Sequence, residues 1–262
     1  MKQTSKGKIE VSLEPGVAIV TIDNPHRRNA LARQMRLQLH STLDKLLGDE
    51  PECRAVVITG AGEHFCAGAD ISEMTKRTIT QSREILEESA QTIRSMSAGP
   101  KPVVAAVEGI AFGMGLSLVS AADYVVASRT SRFCAAFLRV GLLPDSGLLW
   151  TLPRKVGPAK ARELLSLADE IDAAEAFRIG LVERIAEPGQ ALGEALESAR
   201  QLAQNPPLGT ALIKSALTYG SHTLDDSLRT EIDYQPVLRA TEDHRQAANA
   251  FLEKRKPRFS GQ

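Results

Sequence analysis

An α/β body followed by a helical C-terminal part is the fold that the 262-residue sequence predicts, and three observations carry it. Short β-branched runs alternate with segments of helical periodicity up to about residue 204. Those runs (VAIVTI, AVVIT, VVAAV) are apolar at nearly every position rather than at alternate ones, as strands covered on both faces are. From Asn205-Pro206-Pro207 onward the pattern is charged and helix-periodic, with no strand run. Residues 1–204 are therefore assigned to the body and 205–262 to the helical part.

Ile9 to Leu13 and Val17 to Ile22 form the first pair of strands, because Pro15-Gly16 between them suits a hairpin turn. Asp23-Asn24-Pro25 ends the second run. A helix follows over Leu31 to Leu47, where Leu31, Met35, Leu39, Leu43 and Leu46 recur near one face. Ala55 to Thr59 is the next strand, closed by Gly60-Ala61-Gly62. Thr80 to Ser97 is a long polar helix, stopped by Gly99-Pro100-Lys101-Pro102. Val103 to Val107 is a strand that runs into the glycine-containing stretch Gly109 to Gly115. Asp123 to Ala127 and Arg132 to Ala135 complete the strands before residue 150. Leu208 to Tyr219, Leu224 to Leu238 and Glu242 to Lys254 are the helices of the last part.

Composition removes several function classes. Lys+Arg 32 equals Asp+Glu 32, so no net field draws the chain to nucleic acid or anionic lipid. Aromatic residues are 4%, too few for a base-stacking surface. No apolar run approaches the roughly 20 residues that span a bilayer. The opening MKQTSKGKIEVSL holds no signal-peptide core, so a cytoplasmic location is expected. Cys53, Cys66 and Cys134 are odd in number and lack a CxxC pair, which points to reduced structural thiols rather than disulfides or zinc. His26, His40, His64, His222 and His244 are scattered as surface or turn residues. No HExxH, GxSxG or GxxxxGK[ST] occurs, and Gly113-Met114-Gly115 lacks a dinucleotide fingerprint's third glycine, so no metal is expected.

Two glycine-containing loops remain, Gly60 to Ile71 and Glu108 to Ser117, each after an apolar strand. Small residues let backbone N–H groups approach a ligand closely, and a helix starting there adds its dipole. Two such loops could aim two N–H groups at one oxygen, forming an oxyanion hole. Ordinary strand-to-helix turns have the same spacing, and the spacing alone does not separate the two.

FCAGADI (Phe65 to Ile71), KPVVAAVEGIAFGMG (Lys101 to Gly115) and FLEKRKPRF (Phe251 to Phe259) resemble the crotonase, or enoyl-CoA hydratase/isomerase, superfamily. The likeness runs from NPHRRNAL (Asn24 to Leu31) to the C-terminus. It implies a ββα spiral body and a C-terminal helical oligomerisation region, giving a homotrimer or a hexamer. It also implies an acyl-CoA thioester substrate, with no cofactor beyond that coenzyme A. By motif position, the N–H groups of Ala69 and Met114 would hold the thioester oxygen. Losing an α-proton puts negative charge there, and two preorganised donors stabilise the enolate. Ala30, Ala67, Ala69, Asp70, Ile71 and Ser72 would line the nucleotide and pantetheine path. Arg28 would meet a CoA phosphate, and Phe251 and Lys254 would reach the CoA of an adjacent subunit. Arg28 and Lys254 read equally as solvated cations.

Hydratases of this family carry one glutamate two residues after the second glycine of the GxG turn and another twenty residues later. Those positions are Ser117 and Phe137 here. Neither serves as a general acid or base at neutral pH, which speaks against ordinary hydration. Asp145 in LLPDSGLLW falls eight residues beyond Phe137, where dienoyl-CoA and epoxyphenylacetyl-CoA isomerases carry an aspartate. The stretches FLRVGLLPDSGLLWTLPRKVG and TLDDSLRTEIDYQPVLRATEDHR resemble the second group. The expectation is double-bond isomerisation, with Asp145 taking a proton from one carbon and returning it two carbons away. Leu142, Leu143, Leu148, Leu149 and Trp150 would raise its pKa if they also surrounded it in space. Pro-Asp-Ser-Gly is equally a turn sequence in which the aspartate caps a helix or bonds its own backbone. Other readings stay open: a hydratase, an aryl-CoA dehalogenase with Asp145 as nucleophile, and a CoA- or RNA-binding protein without turnover. Ser117 as a nucleophile lacks a matching histidine. Glu108 reads as a turn residue or ion-pair partner.

Overall fold

The apolar runs pair side by side in the computed structural model, which describes residues 7–48, 50–220 and 223–262; His222 falls outside them. β1 (Lys8–Glu14) and β2 (Val17–Asp23) form the expected antiparallel hairpin. α1 (Arg33–Leu47) begins two residues later than the periodicity predicts. The reason is local: Leu31 spends its backbone on a bridge to Ala69, donating to Gly68 O and accepting from Asp70 N. β3 (Ala55–Gly60) runs parallel to β2, and α2 (Ile79–Ala98) starts at a capping box made by Thr78 and Gln81. β4 (Val103–Val107) follows as predicted.

Three strands have no signature in the sequence, because each has only three residues and is held by distant partners. β5 (Ile110–Phe112) lies inside what reads as one glycine-rich loop. It is followed by α3 (Met114–Ala121), β6 (Tyr124–Ser128) and β7 (Arg132–Cys134), the last parallel to β5. α4 (Leu148–Val156) and α5 (Pro158–Leu167) lead to β8 (Glu170–Asp172), which pairs antiparallel with β7. After α6 (Ala173–Arg178), β9 (Arg184–Ala186) closes the main sheet beside β6, and α7 (Ala191–Ala203) crosses its back.

The main sheet has the order β1-β2-β3-β4-β6-β9, and β5-β7-β8 form a second layer. Its inner strands β2, β3, β4 and β6 are almost wholly apolar because both faces are covered, whereas the edge strand β1 is charged and exposed. Val17, Ile19, Ala55, Val57, Val104 and Ala106 face α7, whose Ala191, Ala195 and Ala199 recur every four residues and let the helix lie close. The alternate residues Ala18, Val20, Val56, Ile58, Val103 and Ala105 face Leu39, Leu43, Met96 and Leu116. Each fully buried side chain of this kind contributes about 1.5–3 kcal/mol.

Among the described residues between 207 and 252 every element is helical: α8 (Pro207–Ser215) with a wide turn over Ala216–Gly220, α9 (Leu224–Arg239) and α10 (Glu242–Leu252). Lys214 ties α8 to the body, with Nζ 2.5 Å from Asp123 Oδ2, 2.7 Å from Met96 O and 2.9 Å from Lys101 O. Arg54 donates to the carbonyls of Asn205 and Phe259, and Asp243 accepts from the N–H groups of Ser260 and Gly261. Outward, these helices leave Ile213, Leu217, Leu224, Ile232 and Phe251 exposed. No helix among the described residues is long and apolar enough to cross a membrane.

Candidate active site

The segment after β3 changes partners midway, and that switch builds the site. Phe65 and Cys66 donate to Glu108 O and Ile110 O, and Cys66 O accepts from Phe112. Two residues on, Ala67 donates to Arg28 O, and Gly68 and Asp70 bond Leu31. In a parallel bridge of this pattern the neighbours of Ala69 bond Leu31, so the N–H of Ala69 itself points away from it. Met114, the first residue of α3, has an N–H left over by helix geometry, and Gly113 provides no side-chain cap. Neither N–H has an acceptor among the described residues. The two loops touch at Gly68, which has φ +105; a Cβ built there would sit 3.0 Å from Phe112 O and 3.4 Å from Met114 N. The two expected donors are thus brought to one place, with a glycine between them because nothing larger fits.

Residues that sequence reasoning left aside hold this arrangement. Asn29 is fully buried with φ +59; its Nδ2 donates to the carbonyls of Ala61 and His64, and its Oδ1 accepts from Asn24 N. It lashes the 24–30 turn to the loop after β3. Arg27, rather than Arg28, engages the 70–72 turn, with Nη1 2.7–2.9 Å from the two Asp70 oxygens and 2.6 Å from Ser72 Oγ. Burial pushes the Asp70 carboxyl upward, but the Ser72 hydroxyl and N–H together with Arg27 overcome this and hold it below the usual range. Asp70 is therefore the cap of its own turn. An Asp two residues before a Ser is the one signal in the sequence that could have shown it.

Asp145 follows a short 3-10 turn that contains Phe137, buried in the core. Ser117, in the first turn of α3, donates its hydroxyl to the Asp145 carbonyl at 3.2 Å, so one helical turn separates Met114 from the Asp145 backbone. Ser117 is fully buried and its hydroxyl is spent on carbonyls, which removes the nucleophile reading. Ser146 Oγ donates to Asp145 Oδ1 at 2.9 Å. Ser146 and Gly147 have φ +49 and +72; a Cβ at Gly147 would meet Ile93 Cγ2 at 2.7 Å, so α2 presses the turn from behind. Burial raises the Asp145 carboxyl above the usual aspartate range, opposed by the Ser146 hydroxyl and the charge of Arg36. The flanking leucines are not the cause expected from the sequence. Leu148 is buried, but Leu142, Leu143 and Leu149 are 42–70% exposed and turn away. Asp145 is also not spent as a helix cap; only its carbonyl bonds α4, at Leu148 N.

The remaining expected residues divide. Ala30 and Ala67 lie partly buried in the same partner-switching strip, and Ile71 and Ser72 are exposed on the turn beside it. Arg28 is exposed and contributes its carbonyl to Ala67 N. Phe251 and Lys254 are exposed at the end of α10, which packs on α9 rather than on these loops. Glu108 forms no ion pair of the kind anticipated; its Oε1 accepts from Gly189 N and Ala191 N and caps α7. The three cysteines are free and buried, and burial pushes the Cys66 thiol up to about 12. His26 and His244 are exposed as expected, whereas His40 and His64 each carry a buried Nδ1 without a partner.

Comparison with known proteins adds an independent line. The family model described as enoyl-CoA hydratase/isomerase matches residues 12–262. A Rhodobacter capsulatus protein named "Probable enoyl-CoA hydratase" is 37% identical over 254 residues, covering 97% of this chain and 98% of that one. The 1,2-epoxyphenylacetyl-CoA isomerase of Escherichia coli is 34% identical over 254 residues, covering 95% and 97%. The crystal structure of an enoyl-CoA hydratase from Polaromonas sp. JS666 superposes with a TM-score of 0.91 at 36% identity, over 97% of this chain and all of the other.

Proposed function

The chain belongs to the enoyl-CoA hydratase/isomerase family, and from that premise we propose that it shifts a double bond within an acyl-CoA thioester, with Asp145 carrying the proton. The observation that supports this reading is a desolvated carboxyl on Asp145, whose backbone is bonded by Ser117 one helical turn from the Met114 N–H, with Ser117 and Phe137 where two glutamates would be needed for hydration. Ionised Asp145 takes the C2 proton of a 3-enoyl thioester, and the electron pair moves onto the thioester oxygen. The Ala69 and Met114 N–H groups donate to that oxygen. Collapse of the dienolate takes the proton back from Asp145 at C4 and leaves the 2-enoyl thioester. No water is consumed, so one acid–base group is enough. A raised pKa suits the role, since a base is most effective when its pKa approaches the working pH.

An epoxide-bearing aryl-acetyl thioester would use the same donors and carboxyl, as the E. coli relative's name suggests. Hydration is the second reading, favoured by the R. capsulatus relative's name. The deciding assay is turnover of trans-3-enoyl-CoA in deuterated water. Isomerisation gives 2-enoyl-CoA by ultraviolet absorbance; 3-hydroxyacyl-CoA by mass spectrometry would instead establish a hydratase. The reading invokes no metal and no cofactor besides the substrate's own CoA, whose path follows residues 67–72.

Two expected results bear on it. Gly68→Ala adds a Cβ at φ +105 against Phe112 O and forces the donors apart. The expected loss in kcat is roughly tenfold to a hundredfold, with CoA affinity little changed. Unchanged kcat would remove the two-donor geometry. The exposed apolar residues of α8–α10 are read as an oligomer surface, so light scattering should give at least three times the 28.3 kDa of the chain. Leu224→Glu with Ile232→Glu should lower that mass, and a monomeric wild type would refute the surface.

A further inference from the structure

One charged group beside the site has no role in the chemistry above. Arg36 lies on α1 one turn beyond Arg33, whose N–H is held by Glu73 Oε2 at the end of the turn that starts at Asp70. Arg36 therefore stands between the donor strip and the Asp145 turn, and its charge faces Glu73, Asp145, Arg77 and Glu88. Among the described residues its side chain makes no hydrogen bond and no ion pair, and its Nε is buried without a partner. Each carboxylate around it bonds another group: Glu88 accepts from Nε and Nη2 of Arg33, one Glu73 oxygen caps α1, and one Asp145 oxygen accepts from Ser146. Burial pulls the guanidinium below the usual arginine range although the charges of Glu73, Asp145 and Glu88 oppose this, so a half-buried cation is left with no hydrogen-bond partner among the described residues.

A buried guanidinium N–H without an acceptor is costly and persists where something compensates it. A neutral oxygen would satisfy the Nε donor but not the charge. A carboxylate satisfies both, because its two oxygens match the guanidinium fork. Building on the acyl-CoA reading above, we propose that Arg36 is a specificity residue that receives a carboxylate at the distal end of the acyl chain, so that the preferred substrate is a CoA monothioester of a dicarboxylic acid. The acyl chain then runs from the Ala69 and Met114 donors past Asp145, with a positive anchor at its far end.

Binding tests this without depending on turnover. Saturated CoA monothioesters of dicarboxylic acids of graded length are compared by calorimetry with monocarboxylic thioesters of equal length. Wild type should bind the best dicarboxylic member roughly a hundredfold tighter than its monocarboxylic match. Arg36→Met should erase that difference by weakening only the dicarboxylic ligand, and Arg36→Lys, which keeps charge without the fork, should fall between. Retained monocarboxylic binding shows that the variant is folded. Equal binding of both series by wild type, or equal weakening of both by Arg36→Met, would overturn the assignment. Asp145→Asn should keep the preference while losing isomerisation. A protein with the preference but no isomerase activity would refute the isomerase reading alone, and an isomerase without the preference would refute Arg36 alone.

Discussion

Asp145→Asn should give a folded protein that binds acyl-CoA normally, isomerises roughly 10²–10⁴ times more slowly and melts at a higher temperature than wild type. The loss follows from the single proton carrier: asparagine keeps the shape and the bond from Ser146 Oγ but takes no proton. The gain in stability follows from the raised carboxyl. Between the unfolded value, near 3.8, and the higher native value, the native state binds more protons than the unfolded one, so stability falls as pH rises through that window. Above it, every folded molecule carries the cost of an ionised, desolvated Asp145. Asparagine removes that cost, so its advantage in melting temperature should be largest above the native value and shrink as pH falls through the window toward 3.8. Full isomerase activity in the variant would end the mechanism. A lower melting temperature at pH 7 would show that the carboxylate is stabilised, not strained, by its surroundings.

What the sequence discloses about this site depends on the range of the forces involved. The strands from Val17, Ala55 and Val103 are legible because both faces are buried and composition alone reports it. The donors Ala69 and Met114 are legible as motifs, but the reason they meet is not. That reason is the switch of residues 65–70 from the β5 side to Leu31, a set of backbone bonds that no side chain announces. Asp145 is legible as a lone acid in a familiar stretch. Its desolvation is not, because three of the four leucines beside it in sequence face outward and the turn is packed against Ile93 of α2, more than fifty residues away in the chain. Arg36 is invisible for the same reason. On a helical wheel it is one more cation on an amphipathic helix, and only the fold shows its buried Nε without an acceptor.

Lys214→Met should lower stability by about 3 kcal/mol, near the lower end for breaking a buried ion pair because Asp123 keeps part of its side chain in water. For a chain of this size that is roughly 6–12 °C in melting temperature. Nearly all of Lys214 is buried, and its ammonium gathers three oxygens from the ends of α2, of β4's approach and of β6's, so removing it strands one carboxylate and two carbonyls at once. Burial lowers the Lys214 ammonium, and Asp123 opposes this without fully offsetting it. Adding Asp123→Asn should then recover part of the loss. The new amide still accepts from Val103 N through its oxygen, as the carboxylate does at 2.7 Å, and no longer buries a charge without a partner. Activity of the single variant below its melting point should match wild type, because α8 contributes no group to the donor strip or the Asp145 turn. If the double variant were no more stable than Lys214→Met, the penalty would lie in the two carbonyls rather than in the stranded charge. An unchanged melting temperature in the single variant would mean that the helical part is held to the body by its apolar contacts alone.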